Sequence, residues 1–268
     1  MNYNTVSNIN QLTAKQKKIL KNISSKHNRK KHGLILCEGI RACKEALKNF
    51  PDKINLIIKK ENLDIDTLQE YQIQDTEIIT ADNTFFNTIS KTESPQDIII
   101  ILQEPEKKTL SHETHSSLPL ILILDRVQDP GNAGTILRTA WAAGIKAAIA
   151  TKGTVDLFSP KTIRAGMGAQ FKIDLFYTEN LQDTQDQIKQ LGFKFLWESI
   201  PQNGINCYSE DFQLEKTAIV IGNEANGSAL LKDSKKVTIP MPGDAESLNA
   251  AQAATILIFE AVRRGILT

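Results

Sequence analysis

Three glycine-containing loops in the C-terminal half of the chain could together form one binding site. They occupy residues 129–134, 222–227 and 240–243, and each follows a short apolar run that is typical of a buried strand. Ligands of open α/β sheets bind where parallel strands end, and glycine lets the backbone approach a ligand closely. A glycine after a strand is usually only a turn, but three such loops on one sheet indicate a shared cofactor or substrate site.

Several common kinds of chemistry are excluded by the residues that this half lacks. All four histidines precede residue 116, which excludes Ser-His-Asp, Cys-His and histidine–metal mechanisms confined to the C-terminal half. The three cysteines, Cys37, Cys43 and Cys207, form no C-x-x-C pair, so we expect neither a disulfide framework nor a bound metal. A P-loop is absent, and no G-x-G-x-x-G dinucleotide fingerprint follows the first strand of either half.

Alternating short strands and helices must position these loops, and the pattern predicts an α/β fold class. In the first half we expect helices at 13–27, 41–50, 63–71 and 83–90 and strands at 33–37, 55–58, 77–80 and 98–102. In the second half we expect strands at 120–124, 147–150, 193–197, 218–221 and 237–239 and helices at 135–143, 181–191 and 247–264. Residues 104–118 are polar and aperiodic, which indicates a linker between domains at 1–103 and 119–268.

The net charge of +1 hides a strong asymmetry. Residues 1–60 carry 14 basic and 3 acidic side chains, whereas the remainder carries 18 and 28. A basic arm on a near-neutral protein indicates an anionic partner, most simply nucleic acid, and a solvated helix face is the alternative interpretation. The candidate RNA-binding side chains are Lys15, Lys18, Lys26, Arg29, Lys30, Lys31 and Arg41.

The hydropathy of the chain predicts no membrane segment. No apolar run approaches the ~18 residues of a membrane-spanning helix. The first 18 residues are polar and lack the apolar core of a signal peptide, so we expect a cytoplasmic protein.

Three segments resemble, in order and spacing, the three motifs of the SpoU (TrmH-type) family of RNA ribose 2′-O-methyltransferases, within the SPOUT superfamily. They are DRVQDPGNAGTILRTA at 125–140, IGNEANG at 221–227 and IPMPGDAESLN at 239–249. The basic segment at 29–47, with EGIR at 38–41, also resembles the N-terminal substrate-binding domain of that family, which has a ribosomal-protein-like fold. The resemblance therefore covers almost the whole chain.

The resemblance implies S-adenosyl-L-methionine as methyl donor, a homodimer, and a deep trefoil knot in the C-terminal SPOUT domain. It implies an RNA substrate, with large-subunit ribosomal RNA favoured and transfer RNA as the alternative. Glu224 and Gly227 complete the second motif, and we interpret Glu224 as structural or dimer-bridging. The implied cofactor contacts, which are largely backbone groups, come from Gly222, Ile239, Met241, Gly243, Leu248 and Asn249.

The family likeness also implies catalytic roles for Arg138, Asn132, Ser247 and Asn249. Arg138 is implied to handle the target ribose hydroxyl and its neighbouring phosphate, either as a base or as a phosphate clamp. An arginine guanidinium holds its proton too strongly to act as a base near neutral pH, which favours the clamp. Asn132 is implied to lie near the hydroxyl and could also cap its helix, and Ser247 could cap the last helix.

Two departures from the family pattern remove hydroxyl groups. Gly166 stands where many relatives have serine, and Ala250-Ala251 stands where they often have Val-Ser. Two other functions compete with the methyltransferase: an RNA-binding protein of this fold without catalysis, and a small-molecule enzyme with a nucleotide cofactor. The intact catalytic set argues against the first, and the missing fingerprint and the basic arm argue against the second.

Overall fold

The structure is a computed structural model that describes residues 6–8, 13–23, 25–63, 71, 76–90, 95–106, 108–179, 181–222 and 233–268. The chain packs as two compact units. The first contains Met1–Glu106 and Phe158–Phe171, and the second contains Lys107–Leu157 and Lys172–Thr268.

The described elements alternate between strands and helices, as the sequence pattern predicts. The strands are β1 Val6–Asn8, β2 Leu34–Glu38, β3 Ile54–Lys60, β4 Glu77–Ala81, β5 Ile98–Gln103, β6 Leu120–Leu124, β7 Ala147–Thr151, β8 Asp174–Thr178, β9 Phe195–Ser199, β10 Ile205–Asn206, β11 Thr217–Ile221 and β12 Lys235–Thr238. The helices are α1 Ala14–Asn22, α2 Lys26–His32, α3 Ile40–Asn49, α4 Asn83–Ile89, α5 His112–His115, α6 Pro130–Ala142, α7 Pro160–Gly166, α8 Leu181–Gln190 and α9 Ala250–Arg263.

The first unit contains a five-stranded mixed sheet in the order β1-β4-β3-β5-β2. Strand β5 lies antiparallel to both β2 and β3, whereas β4 lies parallel to β3 and β1. The aliphatic run of β5 is buried on both faces because helices cover both sides of the sheet. Leu20 of α1 and Phe86 of α4 pack into the cluster on one face, and Cys43 of α3 contacts Cys37 on the other.

The second unit contains a seven-stranded, fully parallel sheet in the order β10-β12-β9-β11-β6-β7-β8. Its central strands β6 and β11 are buried at every residue, as expected for a parallel sheet covered on both faces. The cluster on one face contains Leu181 and Ile188 of α8. Helix α6 packs along α9. The α/β fold class expected from the sequence is confirmed.

Several element boundaries differ from the sequence-based expectation. The first helix ends at Asn22, and α2 begins separately at Lys26 after the cap residue Ser25. Strands β8 and β10 and helix α7 were not predicted, and the helix expected at 63–71 falls almost wholly outside the described residues.

The expected linker is partly ordered, because residues 112–115 form α5 and His115 packs edge-on against Phe176 of β8 at 5.0 Å. His115 Nε2 lies 3.8 Å from a carboxylate oxygen of Asp174, so the residues before β6 are held against the sheet edge. The domain boundaries at 103 and 119 stay a prediction.

The segment Phe158–Phe171 packs with the first unit, although its sequence lies between strands of the second sheet. Gly168 adopts φ +86°, and a Cβ atom there would lie 3.0 Å from the Cα of Ala42 in α3. Phe171 meets the ring of Phe50 edge-on at 5.9 Å. The segment is therefore closely packed against α3.

Within the part of the chain that the structure describes, no helix is long and apolar enough to cross a membrane. The same residues hold no group of three or more histidine, cysteine or carboxylate side chains that could bind a metal.

Candidate active site

A pocket lies where three neighbouring strands of the parallel sheet end. Strands β12, β9 and β11 are adjacent, so the segments that follow them meet at the same sheet edge. The pocket has a volume of about 690 Å³ when the solvent in its open mouth is included. Its lining consists of Ser199, Ile200, Pro201, Ile221, Gly222, Ile239, Met241, Ser247, Leu248, Ala250 and Ala253.

The pocket includes four of the six side chains or backbone positions expected to contact a cofactor. Gly222, Ile239, Met241 and Leu248 line it, whereas Gly243 and Asn249 are exposed and are not part of its lining. Glu224 and Gly227 lie outside the described residues. Two of the three predicted loops thus converge on one site.

Sequence reasoning did not predict the pocket wall that is formed by Ser199, Ile200 and Pro201. The strand was expected to end at residue 197, and the segment that follows it was not among the three loops singled out in the sequence. The position of β9 between β11 and β12 places this wall in the pocket. The strand order that creates it cannot be read from the sequence pattern alone.

The pocket suits a ligand with a flat apolar ring. Ile221, Ile239, Leu248 and Ala253 give it mostly apolar walls, and Gly222 has no side chain that would cover its backbone. Adenine buries its ring between aliphatic groups and presents polar edges that main-chain N–H and C=O groups can bind. The lining therefore fits the adenosine part of S-adenosylmethionine.

Helix α6, which carries the first motif, begins at Pro130 rather than at residue 135. Asp129 is its N-cap, because its side-chain oxygen accepts a hydrogen bond of 2.7 Å from the backbone N–H of Asn132. The expectation that Asn132 caps this helix is therefore wrong. Proline at the first helical position is favoured because that position needs no hydrogen-bond donor.

Helix α9 begins at Ala250, and Asn249 is its N-cap, so the expectation that Ser247 caps it is wrong. The Asn249 side-chain oxygen accepts a hydrogen bond of 2.9 Å from the backbone N–H of Ala251. Its side-chain nitrogen donates a hydrogen bond of 2.9 Å to Oδ1 of Asn132. One amide group thus joins the start of α9, which lines the pocket, to the start of α6.

Arg138 projects from α6 into solvent. It is exposed, whereas Ile136, Leu137 and Ala140 of the same helix are buried. It forms no hydrogen bond or ion pair with any residue that the structure describes. Its helix is held against α9, where the hydroxyls of Thr139 and Thr255 lie 3.3 Å apart. Arg138 is therefore a charged group on a fixed helix that is available to bind an anion.

The candidate RNA-binding side chains lie on α1, α2 and the start of α3, within the first unit. Arg29 is only 4% exposed, which does not suit a surface phosphate contact. The remaining six are exposed: Lys15, Lys18, Lys26, Lys30, Lys31 and Arg41.

An ionic cluster at the end of α9 fixes the segment that continues from the pocket wall. The Arg264 guanidinium donates to the backbone carbonyls of Cys207, Ser209 and Phe212 at 2.9–3.0 Å. The buried Glu260 carboxylate accepts hydrogen bonds from Arg264 and Arg263. Hydrogen bonds from Arg263, and then from Arg264, lower the pKa of Glu260 from 4.5 to about 2, against the opposing effect of burial.

Glu260→Gln is expected to lower the free energy of unfolding at pH 7 by on the order of 3 kcal/mol, as the lowered pKa implies. Because the folded-state pKa lies below the unfolded one, this stabilisation is complete above about pH 4.5 and is lost as the pH falls towards 2. Urea unfolding of both proteins at pH 7 and pH 3.5 measures the change. Glu215→Gln, at an exposed position, is the control. An equal difference in the free energy of unfolding between wild type and Glu260→Gln at both pH values would contradict the lowered pKa of Glu260.

Comparisons with known proteins agree with this geometry. Residues 119–259 match the sequence model of the SpoU rRNA Methylase family, and residues 15–100 match that of the MRM3-like substrate binding domain. The chain is 36% identical over 252 residues to the 23S rRNA (guanosine(2553)-2'-O)-methyltransferase RlmP of Bacillus subtilis, which covers 92% of this chain and 96% of that protein.

A human relative and a solved structure extend the comparison. The chain is 30% identical over 301 residues to the mitochondrial rRNA methyltransferase 3 of Homo sapiens, which covers 90% of this chain and 70% of the relative. The structure of an AdoMet-bound rRNA methyltransferase from Sinorhizobium meliloti superposes with a TM-score of 0.82 at 27% identity and covers 99% of both chains. All three motifs fall within the matched residues, and the chain belongs to the SpoU rRNA methylase family.

Proposed function

We propose that this chain methylates a ribose 2′-hydroxyl of large-subunit ribosomal RNA. The chain is a methyltransferase that uses S-adenosylmethionine, as its family and the AdoMet-bound relative show. The names of the Bacillus subtilis and human relatives support ribosomal RNA as the substrate. The observation that carries the proposal is the Asn249–Asn132 hydrogen bond, which links the cofactor pocket to the helix that bears Arg138.

The mechanism requires a weakly acidic hydroxyl to become a nucleophile. When bound, S-adenosylmethionine supplies a methyl group on a positively charged sulfur. The guanidinium of Arg138 remains protonated, binds the phosphate beside the target ribose and lowers the pKa of its hydroxyl through positive charge. Holding the hydroxyl in line with the methyl group contributes much of the remaining rate enhancement.

The two asparagines and Ser247 orient the ribose. Asn132 is held by Asn249, so its amide presents a fixed hydrogen-bonding group beside the N-terminus of α6. Ser247 lines the pocket and is exposed, so its hydroxyl can bind either cofactor or ribose. Both groups act by position, and the proton of the ribose hydroxyl passes to solvent water, because neither an amide nor a serine hydroxyl is a base.

A trefoil knot and a cytoplasmic location complete the proposal. The knot is supported by the family resemblance. The sheet order is compatible with it, because β9 lies between β11 and β12, which follow each other in the chain. True knots are rare among proteins. The bacterial relative supports a cytoplasmic location, and the mitochondrial relatives give the mitochondrion as the alternative.

We also expect the enzyme to be a homodimer whose activity depends on the dimer. Helix α9 presents Phe259, which is 44% exposed, beside half-buried Ile256 and Val262, and such a stripe is typical of a subunit interface. Phe259→Asp should shift sedimentation from twice the chain mass of 29.8 kDa towards a monomer and abolish transfer. Tyr177→Asp, on edge strand β8, is the control. A fully active monomer would contradict the expectation.

Transfer of a labelled methyl group to RNA tests the proposed function. Unmodified 23S rRNA, 16S rRNA and tRNA transcripts are incubated with the enzyme and labelled S-adenosylmethionine. The product is mapped by primer extension at limiting nucleotide, which pauses at 2′-O-methylated residues. We expect one site in 23S rRNA. Labelling of tRNA alone would show that the substrate is tRNA and not 23S rRNA. Labelling of no RNA would overturn the proposal.

A further inference from the structure

A second pocket lies in the first compact unit and is lined by none of the proposed catalytic residues. It has a volume of about 660 Å³ including its open mouth. Every lining residue belongs to the same unit, because α7 packs there with α3. The residues that matter for its chemistry are Glu38, Gly39, Ile40, Arg41, Arg164 and Met167.

Two arginines stand at the rim of this pocket. Arg41 and Arg164 are both exposed, and neither forms an ion pair with any residue in the described part of the chain. Arg41 Nη1 lies 3.6 Å from the sulfur of Met167, so its guanidinium reaches across the pocket. Guanidinium groups bind phosphate and also stack on nucleobases. The rim therefore suits a nucleotide.

The floor of the pocket favours a neutral ring over a phosphate group. Ile40 and Met167 are half-buried and apolar. The Glu38 side chain is 4% exposed, and its carboxylate accepts hydrogen bonds from the Ser90 hydroxyl at 2.8 Å and the Gln96 backbone N–H at 3.1 Å. This fixed carboxylate repels an anion from the floor, whereas the amino groups of a base are donors.

The two sides of the pocket are held together by close packing. Gly168 adopts φ +86°, and a Cβ atom there would lie 3.0 Å from the Cα of Ala42 and from the Cβ of Glu45. Met167 adopts a left-handed conformation, φ +50°, which is strained for any residue with a side chain. This close contact keeps Arg164 and Met167 opposite Arg41.

We propose that this pocket binds one unpaired nucleotide of the RNA substrate, with its base on Ile40 and Met167 and its phosphate between Arg41 and Arg164. The proposal rests on the RNA substrate of the proposed function. Bases that are not stacked in a helix are the usual target of sequence-reading contacts to RNA. The pocket therefore provides a contact with the base itself that the surface lysines cannot provide.

The three methionines of the chain allow a direct test. Met241 lines the cofactor pocket, Met167 lines the second pocket, and Met1 begins the chain. The full-length protein is labelled with ¹³C at the methionine methyl groups, and Met167→Leu and Met241→Leu assign the signals. S-adenosylmethionine should shift the Met241 signal. Hexauridylate or hexaadenylate should shift the Met167 signal through the base ring. An abasic strand of equal charge should shift it much less, because it reaches Met167 only through the Arg41 guanidinium.

Substitution of the arginines gives the second measurement. Arg41→Gln with Arg164→Gln should lower hexauridylate affinity at least about tenfold and abolish the Met167 shift, while the response of Met241 to S-adenosylmethionine persists. Lys161→Gln, an exposed charge on the same helix α7, is the matched control.

The failures of the two proposals are distinguishable. If the enzyme methylates 23S rRNA but no strand shifts the Met167 signal, the nucleotide pocket is overturned and the proposed function stands. Equal Met167 responses to base-containing and abasic strands also overturn it, because they indicate a phosphate site. A base-dependent Met167 shift without any methyl transfer to RNA overturns the proposed function and keeps the pocket.

Discussion

Arg138→Ala should lower the rate of methyl transfer on the order of 1,000-fold, which is the typical effect of removing one group that stabilises developing charge. The side chain is exposed and forms no hydrogen bond or ion pair with any residue that the structure describes, so the fold should be unchanged. Single-turnover transfer at saturating RNA measures the rate, and calorimetry should show S-adenosylmethionine affinity within about twofold of wild type. Full turnover by the variant would remove Arg138 from the mechanism.

A lysine at the same position separates a clamp from a base. Lysine has a pKa near ~10.4 and loses its proton more readily than arginine, so a base mechanism predicts high activity that rises steeply with pH. A clamp mechanism predicts an intermediate rate with the wild-type pH profile, because lysine keeps the charge and loses the planar fork. Lys146→Ala, an exposed charge beyond the end of α6, is the control for general electrostatic effects.

Replacing Lys15, Lys18, Lys30 and Lys31 together by glutamine should weaken RNA binding at least about tenfold at physiological salt. These side chains are exposed on α1 and α2, where residues 1–31 contain no acidic partner. Each phosphate contact with single-stranded RNA contributes about −0.7 to the slope of log affinity against log salt. The four substitutions should therefore flatten that slope by up to about 3.

Filter binding of 23S rRNA across a salt series measures both quantities. Equal slopes for the variant and the wild type would show that these helices are only a solvated face. A variant with four glutamine replacements at exposed acidic residues of the second unit controls for the number of changes. The full chain is used because Phe158–Phe171 packs on the first unit, and removal of residues 1–103 would expose that packing surface.

The meeting of Gly222 and Met241, from two of the three loops, in one pocket was predictable because parallel strands bring their carboxyl ends to one edge of a sheet. The wall at Ser199–Pro201 was not, since nothing in the local sequence says which strands are neighbours. The Asn132–Asn249 hydrogen bond joins residues 117 positions apart, and only the packing of α6 on α9 creates it. The second pocket likewise depends on a distant segment, Phe158–Phe171, which packs on α3.

The two wrong helix caps have a local cause. Asp129 and Asn132 are both good N-cap residues, as are Ser247 and Asn249, so residue type alone does not choose between them. Pro130 favours Asp129, because proline suits the first helical position, and Ala250 favours Asn249 in the same way by starting a run of strong helix formers. Arg29 was assigned to RNA by its charge, and its burial within the unit does not suit that contact.

The Asn249 side-chain amide both caps α9 and donates a hydrogen bond to Asn132, so its hydrolysis would affect the site without affecting the helix. Hydrolysis of the amide to a carboxylate would preserve the helix cap, because an anion is favourable at a helix N-terminus. It would also replace the donor to Asn132 by an acceptor, so the 2.9 Å contact is kept only if the Asn132 amide turns over and donates, which reverses the group that Asn132 presents to the ribose. An aged preparation would then melt like fresh protein and still transfer methyl groups poorly, so intact mass is a better measure of its quality than thermal stability.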